Sequence, residues 1–298
     1  MKSIRLIKNN ISKNFMIAVC SLIGIFIFFL IFSLFYKSKD IIIMIPFKDI
    51  FLSTDWYPYK NKFGLLPFII SSLYISGIAI IISVPLCLLS SIFLVEYCPE
   101  KIKKILLSFI DILAGIPSVL YGVWGIIVIV PLVKNYLAKI FHVNTTGYSL
   151  ITGGIVLSAM ILPFIIQMSC EILNCIPNGL KEASYAVGAT KWQTIKYVVI
   201  KKSFPGIIAS FILGFSRAIG ETMAVMMVAG NVSKIPDSIF SPCYPLPALI
   251  ANNYGEMLSI PLYESAIMLA SLVLLITILI FNILVRIILS RIEKAIIR

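Results

Sequence analysis

Apolar residues along this chain fall in long blocks rather than alternating with polar ones. Residues 16–36, 63–95, 148–170 and 265–285 contain no charged side chain. Two further blocks are apolar around isolated charges: 105–133 holds only Asp111, and 203–232 holds Arg217 and Glu221. A helix crosses the hydrocarbon core of a bilayer with about 20 apolar residues, so the pattern predicts six crossings. Block 63–95 is long for one helix and short for two; one tilted helix with a lead-in before Pro67 fits it. This is an all-α integral membrane chain. Its first part, residues 1–62, comprises a tail, the first crossing and an outer loop; residues 63–298 form a five-helix core.

Composition agrees, with 60 % hydrophobic and 13 % charged residues, far from the average soluble domain. The formal net charge of +12 would suit nucleic acid, but its distribution argues against that partner. With the N-terminus in the cytosol, six crossings leave four inner and three outer segments. The inner ones carry sixteen Lys and Arg, the outer ones eight, and Arg217 lies within a crossing. Such an excess marks the cytosolic side and places both termini there. The basic head before block 16–36 looks like a secretory signal, but the block is too long and has no small-residue cleavage site; an uncleaved first crossing is expected. The six cysteines form no C-x-x-C pair, and the single histidine, His142, has no clustered partners. No metal site or disulfide framework follows.

Prolines punctuate the crossings at Pro85, Pro117 and Pro163, and a bundle tolerates them because neighbours satisfy the freed carbonyls. Pro85 and Pro117 are expected to kink their helices. The last outer loop, 233–264, contains Pro242, Pro245 and Pro247 and should be extended or re-entrant.

The inner segment 178–202 is built differently. Asn178 is placed to cap a helix over 179–187 with Glu182 in its early part. Gly188 suits a left-handed stop, and Thr190 with Gln193 forms a capping-box pattern. Two caps and a glycine stop make a rigid knob.

In block 203–232, the positions Ser210, Gly214, Arg217, Glu221, Ala224, Val228 and Asn231 recur every three or four residues and share one stripe of a continuous helix. Ile212, Phe215, Ile219, Met223 and Met226 fall opposite. An arginine at mid-membrane costs on the order of 3 kcal/mol, while an i, i+4 pair in water returns only about 0.2–0.5 kcal/mol. Arg217 and Glu221 therefore face a bundle interior or a water path, either as a lock between helices or as a station for an anion. Guanidinium holds phosphate-like oxyanions through paired hydrogen bonds, and a nearby carboxylate would keep the hold weak enough for release. Ser216 and Asn231 are assigned to the same pathway.

The stretch "EASYAVG" with Glu182, Ala183 and Gly188 resembles the EAA loop of ABC importer permeases, and Lys201 stands where that pattern usually has proline. "VPLCLLSSIFLVEYCPE" (84–100), "DILAGIPSVLYGVWG" (111–125) and "SRAIGETMAVMMVAGN" (216–231) resemble the PstC-type permeases of phosphate importers. The resemblance covers about residues 63–290. It implies a type I ABC importer permease (MetI-like) fold, with residues 178–202 as a cytosolic coupling loop and Glu182, Ala183, Gly188 and Thr190 meeting an ATPase. It also implies a location in the bacterial inner membrane. The implied partners are a PstA-like second permease, two PstB-like ATPase subunits and a PstS-like external phosphate-binding protein, besides membrane lipid. The chain contains no Gly-Lys pair and so no P-loop; it is expected not to be an enzyme, to bind no cofactor, and to leave ATP and Mg to the ATPases. Permeation of another oxyanion, such as molybdate or sulfate, is the nearest alternative. A gradient-driven carrier is a more distant one, because it would not need the knob.

Overall fold

The computed structural model of this chain describes residues 2–255, 260 and 262–297; Arg298, counted among the basic residues above, lies outside them. Among the described residues, six helices are long and apolar enough to cross a membrane. The main helices are α1 (Lys2–Lys37), α2 (Leu66–Tyr97), α3 (Glu100–Ala114), α4 (Ser118–Ile140), α5 (Leu150–Asn174), α6 (Asn178–Ala186), α7 (Lys191–Ile219), α8 (Met223–Val228), α9 (Leu246–Asn253) and α10 (Tyr263–Ile297). At one end of the bundle lies α6. At the other lies a small antiparallel hairpin, Trp56–Tyr57 paired with Lys62–Phe63. The two ends are called here the α6 end and the hairpin end.

The pair α2–α5 is the spine. Ser72, Ser76, Ala79, Ser83, Cys87 and Ser91 recur at spacings of three or four along α2 and are all buried. Small side chains let two helices approach closely where lipid supplies no hydrophobic drive between them. The match on α5 is Gly154: a Cβ built there would stand 2.4 Å from Ile78 Cγ2. Pro85 interrupts α2 without ending it. Against the spine pack α7, through Ser169–Ser210 (Oγ–Oγ 3.0 Å) and Gly214 under Ile165, and then α10. Among the described residues, the apolar stretch of α1 has no buried residue; near the hairpin end its Ile31 and Leu34 pack on the cluster around Tyr263 and Leu269.

Two crossings differ from the expectation. Block 105–133 is not one helix. The helix α3 stops at Ala114, the chain turns through Gly115–Pro117, and α4 begins at Ser118 with Pro117 as its N-cap residue. Pro117 therefore divides two helices instead of kinking one, which follows from its missing N–H and fixed φ. The stretch α3 lies along the α6 half of α5, with Lys103 Nζ 3.4 Å from Asn174 Oδ1. The stretch α4 lies along the other half, where Gly125 meets Val156. Block 203–232 is broken as well: α7 begins earlier, at Lys191, and ends at Ile219, and Gly220 caps it before α8 starts at Met223. The expected continuous stripe from Ser210 to Asn231 does not exist.

In the 178–202 segment the helix spans Asn178–Ala186 with Pro177, not Asn178, at the N-cap and no side-chain cap; the Pro177 carbonyl accepts the Leu180 N–H at 3.1 Å and sets the entry. Gly188 has φ +84°, and the Thr190–Gln193 capping box is complete. At Lys201 the helix simply continues. Within loop 233–264, residues 256–259 and 261 are outside the described residues. The rest holds an extended lead-in and the short buried helix α9, whose Leu246 N–H donates to Ser72 Oγ at 2.8 Å.

A Gly154→Leu substitution should lower the detergent melting temperature by several degrees, because overpacking at such a contact costs about 1–3 kcal/mol. Gly77→Ala in the same helix pair, where nothing lies within 4 Å of a built Cβ, should leave it unchanged.

Candidate functional site

Arg217 sits at mid-depth of the bundle. Helices α5 and α7 run antiparallel with Ser169 beside Ser210 and Ile165 beside Gly214. The Arg217 guanidinium accordingly lies over the ring of Phe164, 5.3 Å from its centroid, next to the midpoint of the 25-residue α5. Both broken crossings meet at this level. A Cβ on Gly122 of α4 would stand 3.2 Å from Ala224 Cα of α8, so the two breaks, Gly115–Pro117 and Gly220–Thr222, flank one region. The break before α4 is stitched by Tyr121, whose hydroxyl donates to the Leu113 carbonyl at 2.9 Å.

Arg217 and Glu221 do not form an ion pair among the described residues. The chain turns between them, which removes the i, i+4 geometry that the sequence suggests. Each charge is instead placed at a helix end that favours it. Arg217 is in the last turn of α7, beside the partial negative charge of its carbonyls. Glu221 precedes α8 and accepts the Ala224 N–H at Oε1, 3.3 Å. These effects, with a cation–π contact worth about 0.5–1 kcal/mol when exposed, do not cancel the cost of about 3 kcal/mol for an arginine in hydrocarbon. Arg217 is exposed on the surface of the single chain. The face that carries it therefore meets water or another protein, not lipid tails.

The other residues expected on the pathway are turned elsewhere. Ser216 donates to Asn282 Oδ1 of α10 at 3.2 Å. Asn231 lies beyond α8 in a left-handed conformation (φ 51°) and donates from Nδ2 to the Met226 carbonyl. It borders a separate cavity of about 550 Å³ with Thr146, Tyr148 and Pro242. Sequence reasoning missed Tyr121 and Phe164, the aromatic walls around Arg217, because neither stands out within an apolar block. It also missed an apolar groove of about 630 Å³ beside them, lined in part by Leu120, Trp124, Leu162 and Ile166.

At the α6 end, Glu182, Ala183 and Gly188 are exposed, and Val187 is 84 % exposed. The helix that presents them is tied from below. Lys181 Nζ is 2.6 Å from Glu96 Oε1 at the end of α2, with side chains only 17 % and 7 % exposed. Ser184 shares a hydrogen bond with Thr194 at 2.9 Å, and Lys191 lies over the Tyr97 ring at 4.4 Å. Glu96 was visible as the charge that ends block 63–95, but its partner 85 residues away was not.

Comparison with known proteins agrees with this architecture. The chain is 39 % identical over 241 residues to the probable ABC transporter permease YqgH of Bacillus subtilis, covering 80 % of this chain and 76 % of that protein. It is 35 % identical over 258 residues to the phosphate transport system permease PstC of Xylella fastidiosa, covering 82 % and 79 %. A probable PstC of Methanocaldococcus jannaschii is 35 % identical over 250 residues, 79 % of each chain. In fold it is similar to a chain of the inward-facing MetNI methionine ABC transporter, with TM-score 0.56, 21 % identity, and coverage of 76 % of this chain and 94 % of that one. The family model for binding-protein-dependent transport system inner membrane components matches residues 88–298, and this multi-pass membrane chain belongs to that family.

Proposed function

We propose that this chain is one permease subunit of an ATP-driven importer of inorganic phosphate. The observation that carries the reading is Arg217: a permanent cation at mid-depth, exposed on a face that cannot meet lipid, between two broken crossings. Its PstC relatives are named for phosphate transport. Arg217 would hold the oxyanion through paired N–H donors, and Glu221 would limit the strength of that hold. The open face around Arg217 is closed by a PstA-like second permease, so that the pathway runs between the two subunits.

In this reading the α6 end and both termini are cytosolic. Two PstB-like ATPase subunits bind ATP and Mg, which this chain does not hold, and one docks on Glu182, Ala183, Val187 and Gly188. A PstS-like binding protein delivers phosphate at the hairpin end. ATP-driven movement of α6 is passed to α2 through Lys181–Glu96 and to α7 through Ser184–Thr194, and α7 carries Arg217.

Uptake of radiolabelled phosphate into sealed vesicles containing the complex and the binding protein tests the function. ATP-dependent uptake that survives collapse of the proton gradient is expected; uptake that ignores ATP, or that is displaced by sulfate or molybdate in preference to phosphate, would overturn it. Arg217→Gln should reduce that uptake at least about tenfold, the loss of a charged hydrogen-bond partner, with normal amounts of assembled complex. Glu182→Ala should leave the chain inserted while the ATPase co-purifies poorly and ATP hydrolysis is no longer stimulated by loaded binding protein. For orientation, a variant retaining only Cys175 and Cys243 should react at Cys175 with a membrane-impermeant maleimide in inside-out vesicles but not in intact cells. Cys243, whose thiol is pushed up to about 12 by burial, should stay unlabelled from either side until the chain is unfolded.

A further inference from the structure

A further charged residue, Asp111, takes no part in the hold on the anion proposed for Arg217 and Glu221. It lies near the end of α3, exposed on the surface of the single chain, and its Oδ1 accepts a hydrogen bond from Gln167 Nε2. A carboxylate only accepts, so the Gln167 atom that faces it is the amide nitrogen. On α5, Gln167 follows Phe164 by three residues and stands on the same face. Phe164 is the ring under Arg217. The Gln167–Asp111 pair is therefore about one helical turn from Arg217 toward the α6 end. The same face of α5 continues through Glu171 to Asn174, which meets Lys103, and neither Gln167, Glu171 nor Asn174 is buried.

A hydrogen bond from a neutral amide does not neutralise a carboxylate, and α3, which carries Asp111, lies beside the α6 half of α5 and is not one of the six candidate crossings. Through Gln167, Asp111 stands at the α5 face that carries Phe164, the ring under Arg217, and both charged residues are exposed on the single chain. Its oxygen and an oxyanion oxygen are the same kind of acceptor, and Gln167 Nε2 is a donor that either could take.

We propose that Gln167 is a second anion-binding donor, one turn inward of Arg217, and that Asp111 competes with the transported anion for it. This rests on the proposed role of Arg217. An anion leaving Arg217 displaces the carboxylate, gains the Gln167 donor, and is repelled by the displaced Asp111, so it is handed on and not retained. Asp111 acts as a positioning residue for release, while Gln167 touches the anion.

The test uses the purified complex of this chain with its co-purifying partners. Equilibrium binding of radiolabelled inorganic phosphate is measured for wild type, Asp111→Asn and Gln167→Leu. Asp111→Asn keeps the shape and a neutral hydrogen bond while removing the competing charge, and should tighten phosphate binding about tenfold, the effect of one nearby unit charge at partly wet distance. Gln167→Leu should weaken it about fivefold, and the double variant should bind more tightly than Gln167→Leu alone, because the repelling charge is gone, but more weakly than Asp111→Asn. Turnover in ATP-driven uptake at saturating loaded binding protein should fall in Asp111→Asn with an unchanged KM for that protein. Full-rate uptake by Asp111→Asn, or phosphate affinities unmoved while both variants melt at lower temperature, would make the pair a structural tie and overturn the proposal. A wild-type complex without ATP-driven phosphate uptake would instead overturn the function proposed above.

Discussion

A hydrocarbon slab offers no hydrogen-bond partner to a free carbonyl and no solvation to a charge, and the architecture of this chain follows from that constraint. At both interruptions a side chain adds a hydrogen bond to the backbone: the Tyr121 hydroxyl donates to the Leu113 carbonyl before α4, and Glu221 accepts the Ala224 N–H before α8. The interruptions are affordable only because they lie side by side, each covered by the other and by the midpoint of α5. Arg217 stands at the same level, over Phe164.

The spine supplies the rigidity against which those broken elements are held. The six small buried positions of α2 and Gly154 of α5 bring two long helices into close contact, and interiors packed in this way transmit displacement instead of absorbing it. The crossing that carries Arg217 starts at Lys191, so 26 residues at about 1.5 Å each make one rod of about 40 Å from the loop beside α6 to the guanidinium. The helix α6 is joined to the end of α2 by a nearly buried ion pair. Its exposed side is apolar at Val187 and Tyr185 and acidic at Glu182. Mechanical linkage between that surface and the mid-depth charge is thus direct and short in number of contacts.

By itself the sequence determined the features set by short-range chemistry. The six apolar blocks follow from bilayer thickness, the Gly188 stop from its lack of a Cβ, and the Thr190–Gln193 box from groups three residues apart. The presence of a charge inside the fifth crossing was equally plain. What periodicity could not decide was whether that crossing continued. Counting every third and fourth residue assumes an unbroken helix, and Gly220 followed by Glu221 ends one and starts another. Only the packing of α8 on α4 makes that break stable, and with it Arg217 and Glu221 part and take separate helix ends. The pairings Lys181–Glu96, Asp111–Gln167 and Arg217–Phe164 join residues more than 50 positions apart. Such contacts depend on which helix faces lie together, a property of the folded bundle that no local pattern contains.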